Sequence, residues 1–214
     1  MRRRLVLSAL AIAAALIALA PTPALADSEN YKIDPGHSMV GFKVSHILSK
    51  VPGRFTKFSG TIALDPQNVG TAKIAVDIDT ATINTDNPDR DGHLKSADFF
   101  DVEKFPKMTY ESTSVVANGP NKATVKGNLT LHGVTKPVDL DVDILGFATD
   151  PWGGYRAAFE ARAQINRKEF GLVWNKVLDS GGLLVGENVE IALDIEAVRQ
   201  KAEAPAKAGA KPGR

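Results

Sequence analysis

Cysteine is absent from all 214 residues. No disulfide staples the fold, and no thiolate is available for catalysis or metal binding, so a hydrophobic core must hold the chain on its own. The absence also removes the residue a lipoprotein anchor would need after an apolar leader. Long apolar runs are missing too. Leu5 to Ala20 is 16 residues of Ala, Leu, Ile and Val with one Ser, short of the roughly 18 that point to a membrane-spanning helix. No excess of one charge is present, with 26 basic against 25 acidic side chains. Sequence motifs of the H-E-x-x-H, H-x-H and G-x-S-x-G kinds are lacking, as is a glycine-rich phosphate loop, which leaves metalloprotease, hydrolase and nucleotide chemistry without a foothold.

What is present begins at the N-terminus. Arg2, Arg3 and Arg4 precede the apolar stretch, Pro21 and Pro23 end it, and Ala24-Leu25-Ala26 has the small-x-small form that signal peptidase reads. Residues 1–26 are expected to be a signal peptide, with a mature chain from Asp27 exported to the periplasm or secreted. That chain is long enough for one sizeable domain. Its body from Asp27 to Glu196 carries 18 basic and 24 acidic groups, a sign that does not attract phosphate backbones and argues against nucleic acid. The end is different. Arg199, Lys201, Lys207, Lys211 and Arg214 face a single acid, Glu203, among Ala, Pro and Gly. Residues 199–214 are expected to be a disordered basic tail.

Between Tyr31 and Ala197 the dominant period is two. Val40, Phe42 and Val44 alternate with Gly41 and Lys43; Ile74, Val76 and Ile78 with Ala75 and Asp77; Val138 to Ile144 with Asp139, Asp141 and Asp143; Val189 to Ile195 with Glu190, Ala192 and Asp194. Strands with one wet and one dry face read this way. Phe55–Leu64, Lys107–Val115, Ala123–Leu131 and Arg156–Ile165 complete about eight strands. Asn87-Pro88-Asp89 interrupts them as N-cap, first-turn proline and first-turn acid, predicting a helix near 88–97. A second short turn is expected at Ile47–Lys50. The fold class is therefore all-β over 27–198. Eight such strands suit a sandwich or a closed barrel, and barrels of this size hold one small ligand. The surplus of apolar strand surface favours a barrel with a cavity.

Few residues offer chemistry. His37, His46, His93 and His132 lack ligand spacing, and His132 before Gly133 reads as a hairpin turn. Asp179-Ser180-Gly181-Gly182 is similar to the nucleophile loop of trypsin-like proteases, but only 32 residues follow Gly182, too few for that architecture. The acidic rows Asp77/Asp79 and Asp139/Asp141/Asp143 are read as solvated strand faces, because nothing apolar alternates in to desolvate them. No catalytic residue, metal site or cofactor is expected. The bulky residues Phe99-Phe100, Phe105, Met108, Phe147, Trp152, Phe170 and Trp174 lie near loops and strand ends, either as barrel-end plugs or as the lining of an apolar ligand site.

These segments resemble, in order, the YceI-like family of lipid- and polyisoprenoid-binding proteins. Tyr31-Lys32-Ile33-Asp34-Pro35-Gly36-His37-Ser38 running into Val40–His46 is similar to its opening strand. Arg90-Asp91-Gly92-His93-Leu94-Lys95-Ser96-Ala97-Asp98-Phe99-Phe100 resembles its helix and following turn, and Phe105-Pro106 to Tyr110 the next strand. Gly127 to Val138, through Leu131-His132-Gly133, looks like its central hairpin; Asn166 to Gly171 and Val185 to Val189 look like its late segments.

The resemblance implies an extended, lipocalin-like, eight-stranded antiparallel barrel with a tunnel for an isoprenoid chain such as a quinone tail. It implies a periplasmic or secreted carrier serving transport, storage or stress protection, without catalysis. Candidate lining residues are Phe42, Val44 and Phe55 early in the chain and Leu94, Phe99 and Phe100 around the helix. Met108, Leu129 and Leu140 join them from the middle strands, and Phe170 and Trp174 late in the chain. A secreted protein sequestering apolar small molecules or antibiotics would use the same interior, and an enzyme built on the histidines is a third class. The basic tail suits weak contact with anionic membrane surfaces. A homodimer is left open.

Overall fold

The computed structural model describes residues 28–179 and 181–201. The expected signal peptide and the tail beyond Lys201 lie outside the described residues. Eleven strand segments and one helix follow one another: β1 Glu29–Ile33, β2 Met39–His46, β3 Ser49–Phe55, β4 Phe58–Leu64, β5 Lys73–Asp79, β6 Ile83–Asn84, α1 Pro88–Lys95, β7 Lys107–Ala117, β8 Lys122–Leu131, β9 Val134–Thr149, β10 Tyr155–Asn166 and β11 Val185–Arg199. All pairings are antiparallel, and β1 bonds both β4 and β11, which closes the ring β1-β4-β5-β7-β8-β9-β10-β11. The fold is a closed eight-stranded antiparallel β-barrel.

The segments β2, β3 and β6 extend this ring at one end. They continue β1, β4 and β5 beyond three kinks, so the barrel has eight strands of which three are bent. The first kink is Asp34–Ser38, where Pro35 has no N–H to give. Ser38 repairs the ladder: its Oγ donates to the Glu196 carbonyl at 3.1 Å and accepts the Glu196 N–H at 3.0 Å. The second is Thr56-Lys57, and the third is the turn Thr80–Thr82, capped by the Asp79 carboxylate on the Ala81 N–H. The second and third lie side by side, since Thr56 N–H donates to Thr82 carbonyl and Asp79 N–H to Lys57 carbonyl. Three neighbouring strands thus bend together, and beyond the bend β6 pairs only with β3. The uninterrupted strand expected over Phe55–Leu64 is therefore two segments, and the turn expected at Ile47–Lys50 is a two-residue hairpin turn, with Ser49 and Lys50 already in β3.

Helix α1 stands at the β6 edge. Asn87 caps it by accepting the Arg90 N–H, Pro88 opens it, and it stops at Lys95, two residues short of the expected end. Thr85 pins it: Arg90 donates through Nε to Thr85 Oγ1 and through Nη2 to the Thr85 carbonyl, both at 2.8 Å, while Asp91 accepts from the Thr85 N–H and hydroxyl. Arg199, set in the expected tail, belongs to β11, and Gln200 still donates to the Asn30 carbonyl.

Beside the first kink, Arg156 ties three segments together. Its Nε meets Asp150 at 2.8 Å, its Nη1 meets Asp34 at 3.0 Å, and it also pairs with Glu196. Hydrogen bonds from His37 and Arg156 hold Asp34 below its ordinary value, and Arg156 with the Gly154 N–H does the same for Asp150. Both carboxylates favour the folded state above their ordinary value of 3.8, and that contribution is lost as pH falls through the lower folded-state values. Arg156→Met is expected to melt at a lower temperature than wild type at neutral pH, with the gap closing as pH falls below the ordinary carboxylate value of 3.8 and through the lowered folded-state values. Thermal unfolding of both proteins across this range checks it; a gap unchanged in acid refutes the pairing as its source.

Candidate functional site: an apolar cavity inside the barrel

The inward faces of all eight strands leave a cavity of about 250 Å³. Its wall is almost wholly apolar. Of the eleven residues expected to line it, nine do: Phe42, Val44 and Phe55; Leu94, Phe99 and Phe100; Met108, Leu129 and Leu140. Two stand off the wall. Phe170 is buried behind it in the turn Arg167–Phe170, and Trp174 forms an outer layer, its ring 5.1 Å from Phe99 and 4.8 Å from His93. Both are aromatic residues near strand ends, but one packs as core and the other as cover. Nor do Phe105, Phe147 and Trp152 reach the wall. Phe105 packs on His132, Phe147 on Tyr155 and Phe159, and Trp152 projects from the β9–β10 turn.

Local sequence makes room for the large side chains. Phe42 faces Gly53 across the β2–β3 pair, and a Cβ on Gly53 would fall 2.3 Å from the Phe42 ring. Phe42, Phe55 and Phe100 then form a run of rings with centroids 5.9 and 5.6 Å apart. Gly127 gives the same clearance to Tyr110. The inward row of β2 ends at Val44, and His46 does not reach the cavity.

The polar residues of the wall turn their polar atoms elsewhere. Tyr110 shares its hydroxyl hydrogen between the Val125 and Val138 carbonyls, 3.1 Å from each. Burial pushes its phenol pKa up, so it stays a neutral donor. Arg167 is 4% exposed. It donates through Nε to Gly186 at 2.9 Å, through Nη1 to Leu172 and through Nη2 to Val185, all main-chain carbonyls. Burial lowers its pKa, opposed by the Glu187 charge. Among the described residues no buried side-chain polar atom lacks a partner. Alternation alone could have found most of the further lining, such as Ile62, Ile78, Val125 and Ile191. The part played by Arg167 carried no local signal.

Asp34, His37 and Glu196 are one set of candidate metal ligands among the described residues, with ligand atoms within 4.8 Å of one another. Arg156 already pairs with both acids, and none of the three residues lines the cavity, although Ile33 and Ile195 beside them do.

Fold and site together define a barrel-type binder of apolar ligands. A family model described as the YceI-like domain matches residues 31–197. The chain belongs to the YceI-like family. It is 42% identical to a UPF0312 protein of Pseudomonas paraeruginosa over 91% of this chain and 97% of that one. With a UPF0312 protein of Vibrio cholerae it shares 39% identity over 75% of this chain and 87% of that one. Among solved structures, Burkholderia cenocepacia BcnA has the same fold, with a TM-score of 0.68, 22% identity, and coverage of 77% of this chain and 98% of BcnA. The Campylobacter jejuni YCEI protein superposes with a TM-score of 0.65 and 29% identity, over 73% of this chain and 90% of that one. A polyisoprenoid binding domain from Saccharophagus degradans follows at 0.62 and 17%, over 79% and 98%.

Proposed function

We propose that the chain is a periplasmic or secreted binding protein, rather than an enzyme, that holds an isoprenoid or similar long apolar lipid in its barrel for transport, storage or protection. The cavity carries this reading. At about 250 Å³ it exceeds the ~150 Å³ of apolar cavities that stay dry and admit benzene. At ~24 cal/mol per Å³ an empty space of this size costs on the order of 6 kcal/mol relative to a filled core. That is comparable to the whole stability of a typical domain, about 5–15 kcal/mol. A filled interior would be the stable choice, and a ligand is the physical reason to forgo it.

The wall offers dispersion and dehydration but no anchor, so chain length and shape set the affinity. At about 0.3 kcal/mol per heavy atom, each five-carbon isoprene unit buried adds roughly 1.5 kcal/mol, so affinity rises with the length of chain the barrel takes in. The polyisoprenoid binding domain among the proteins of this fold supports the ligand class, and the leader-like N-terminus supports export. Native mass spectrometry of protein exported by its own host tests both. The polypeptide is expected to be lighter by its first 26 residues and to carry a long-chain lipid released by organic extraction. Protein that retains the leader, or that carries nothing extractable while folded, refutes the corresponding half.

A further inference from the structure

At the kinked end of the barrel, two loops carry apolar side chains into solvent. Of the nine exposed large apolar residues in the described part, five are here: Ile47, Leu48, Val173, Val177 and Leu183. Leu48 is 98% exposed and Val177 77%. The loops form one rim. Ile47 N–H donates to the Leu184 carbonyl, Leu184 N–H donates to the Lys176 carbonyl, Val177 bridges Leu183, and the Asn175 amide bonds both main-chain groups of Val185. The rim grows directly out of the cavity wall, because Val44, Leu172 and Val185 line the interior just below it.

The tip is costly in two ways. Ile47 and Leu48 form the two-residue turn between β2 and β3, and Ile47 has φ 51°. Asn or Gly is favoured there, and a β-branched residue is strained. Exposure of both side chains to water adds to that. Neither cost improves the fold. We propose that this rim is a docking surface for the lipid bilayer, where the cavity exchanges its ligand; the inference rests on the carrier reading above.

A bilayer fits better than a protein partner. Leu48 projects on a narrow turn, and such a tip enters a fluid apolar phase without needing a complementary groove. Charge beside it is sparse and mixed. Lys50 pairs with Glu190, and Lys176, next to Val177, has no carboxylate partner among the described residues. Insertion of apolar side chains is then the main attraction, since Lys176 is offset by the exposed Asp179 of the same loop, so binding should survive salt and zwitterionic lipid. A ligand insoluble in water gains a continuous apolar path from the acyl layer, past the rim, to Val44 and Leu172.

Flotation of the delipidated full-length exported protein with vesicles, of phosphatidylcholine alone and mixed with phosphatidylglycerol, tests this. Wild type is expected to float with both, and Leu48→Asp or Val177→Asp to lose at least tenfold of the bound fraction. These side chains are already in solvent, so folding is preserved. Trp152→Asp, an equally exposed change at the other barrel end, is expected to float like wild type. Absence of wild-type flotation overturns the proposal. So does loss by Trp152→Asp with Leu48→Asp unaffected, or a concentration-dependent dimer that Leu48→Asp dissolves, which would assign the rim to a second copy. Retention of an isoprenoid quinone delivered from cyclodextrin reads the cavity separately. Protein that retains quinone yet does not float overturns the docking surface alone, and protein that floats yet retains none overturns the carrier reading alone.

Discussion

Phe42→Asp is expected to lower lipid retention by at least a hundredfold, while Lys43→Asp leaves it unchanged. The two residues are neighbours on β2, but Phe42 lies on the cavity wall between Gly53 and Phe55, and Lys43 is exposed beside Pro52 and Glu190. A carboxylate at Phe42 has no partner on an apolar wall. An unpaired charge there either excludes the apolar chain or draws water in, at a cost of several kcal/mol, and a hundredfold loss needs only about 2.7 kcal/mol. Leu94→Asp makes the same change from helix α1, outside the strand ladder, and serves where Phe42→Asp does not fold. Retained quinone per folded protein, with folding checked by circular dichroism, is the measurement. Equal retention by Phe42→Asp, Leu94→Asp and wild type would mean that the ligand lies elsewhere.

The second large effect is on stability. Stripping the bound lipid is expected to lower the melting temperature, and returning it to restore the loss. Ligand at about a hundred times its Kd stabilises by about 2.7 kcal/mol, and for a domain of this size each kcal/mol moves the transition by roughly 2–4 °C. The expected rise is therefore about 5–11 °C, nearly independent of salt because the one charged residue of the wall, Arg167, spends its N–H groups on main-chain carbonyls. Scanning calorimetry of stripped protein with and without a long-chain isoprenoid measures it. Folded, stripped protein whose melting temperature ignores the lipid would leave the cavity without a ligand of this class.

The alternation of Val138 to Ile144, or of Val189 to Ile195, was enough to show which side of each strand is dry, because the side-chain direction in a strand is a local property. The same holds for helix α1, whose cap and proline act within one turn. Candidates chosen by alternation, such as Phe42, Val44 and Leu140, stand on the cavity wall. Those chosen for bulk near loops divided, since Phe170 became core and Trp174 cover, and size alone does not say on which side of a wall a ring will lie. Arg167 was unreadable for another reason: its three acceptors, the carbonyls of Leu172, Val185 and Gly186, belong to irregular or edge backbone that exists only once β11 has docked.

Strand number, antiparallel order, a core without disulfides and the ordered YceI-like segments were all properties of the sequence by itself, because each follows from local periodicity or from the order of short motifs. Tertiary structure alone decided that three strands kink side by side, that β6 ends beneath α1, that Ile47 meets Leu184, and that the inward side chains leave a cavity. Those outcomes depend on register between distant segments and on summed side-chain volumes around a closed ring. No window of sequence contains either quantity.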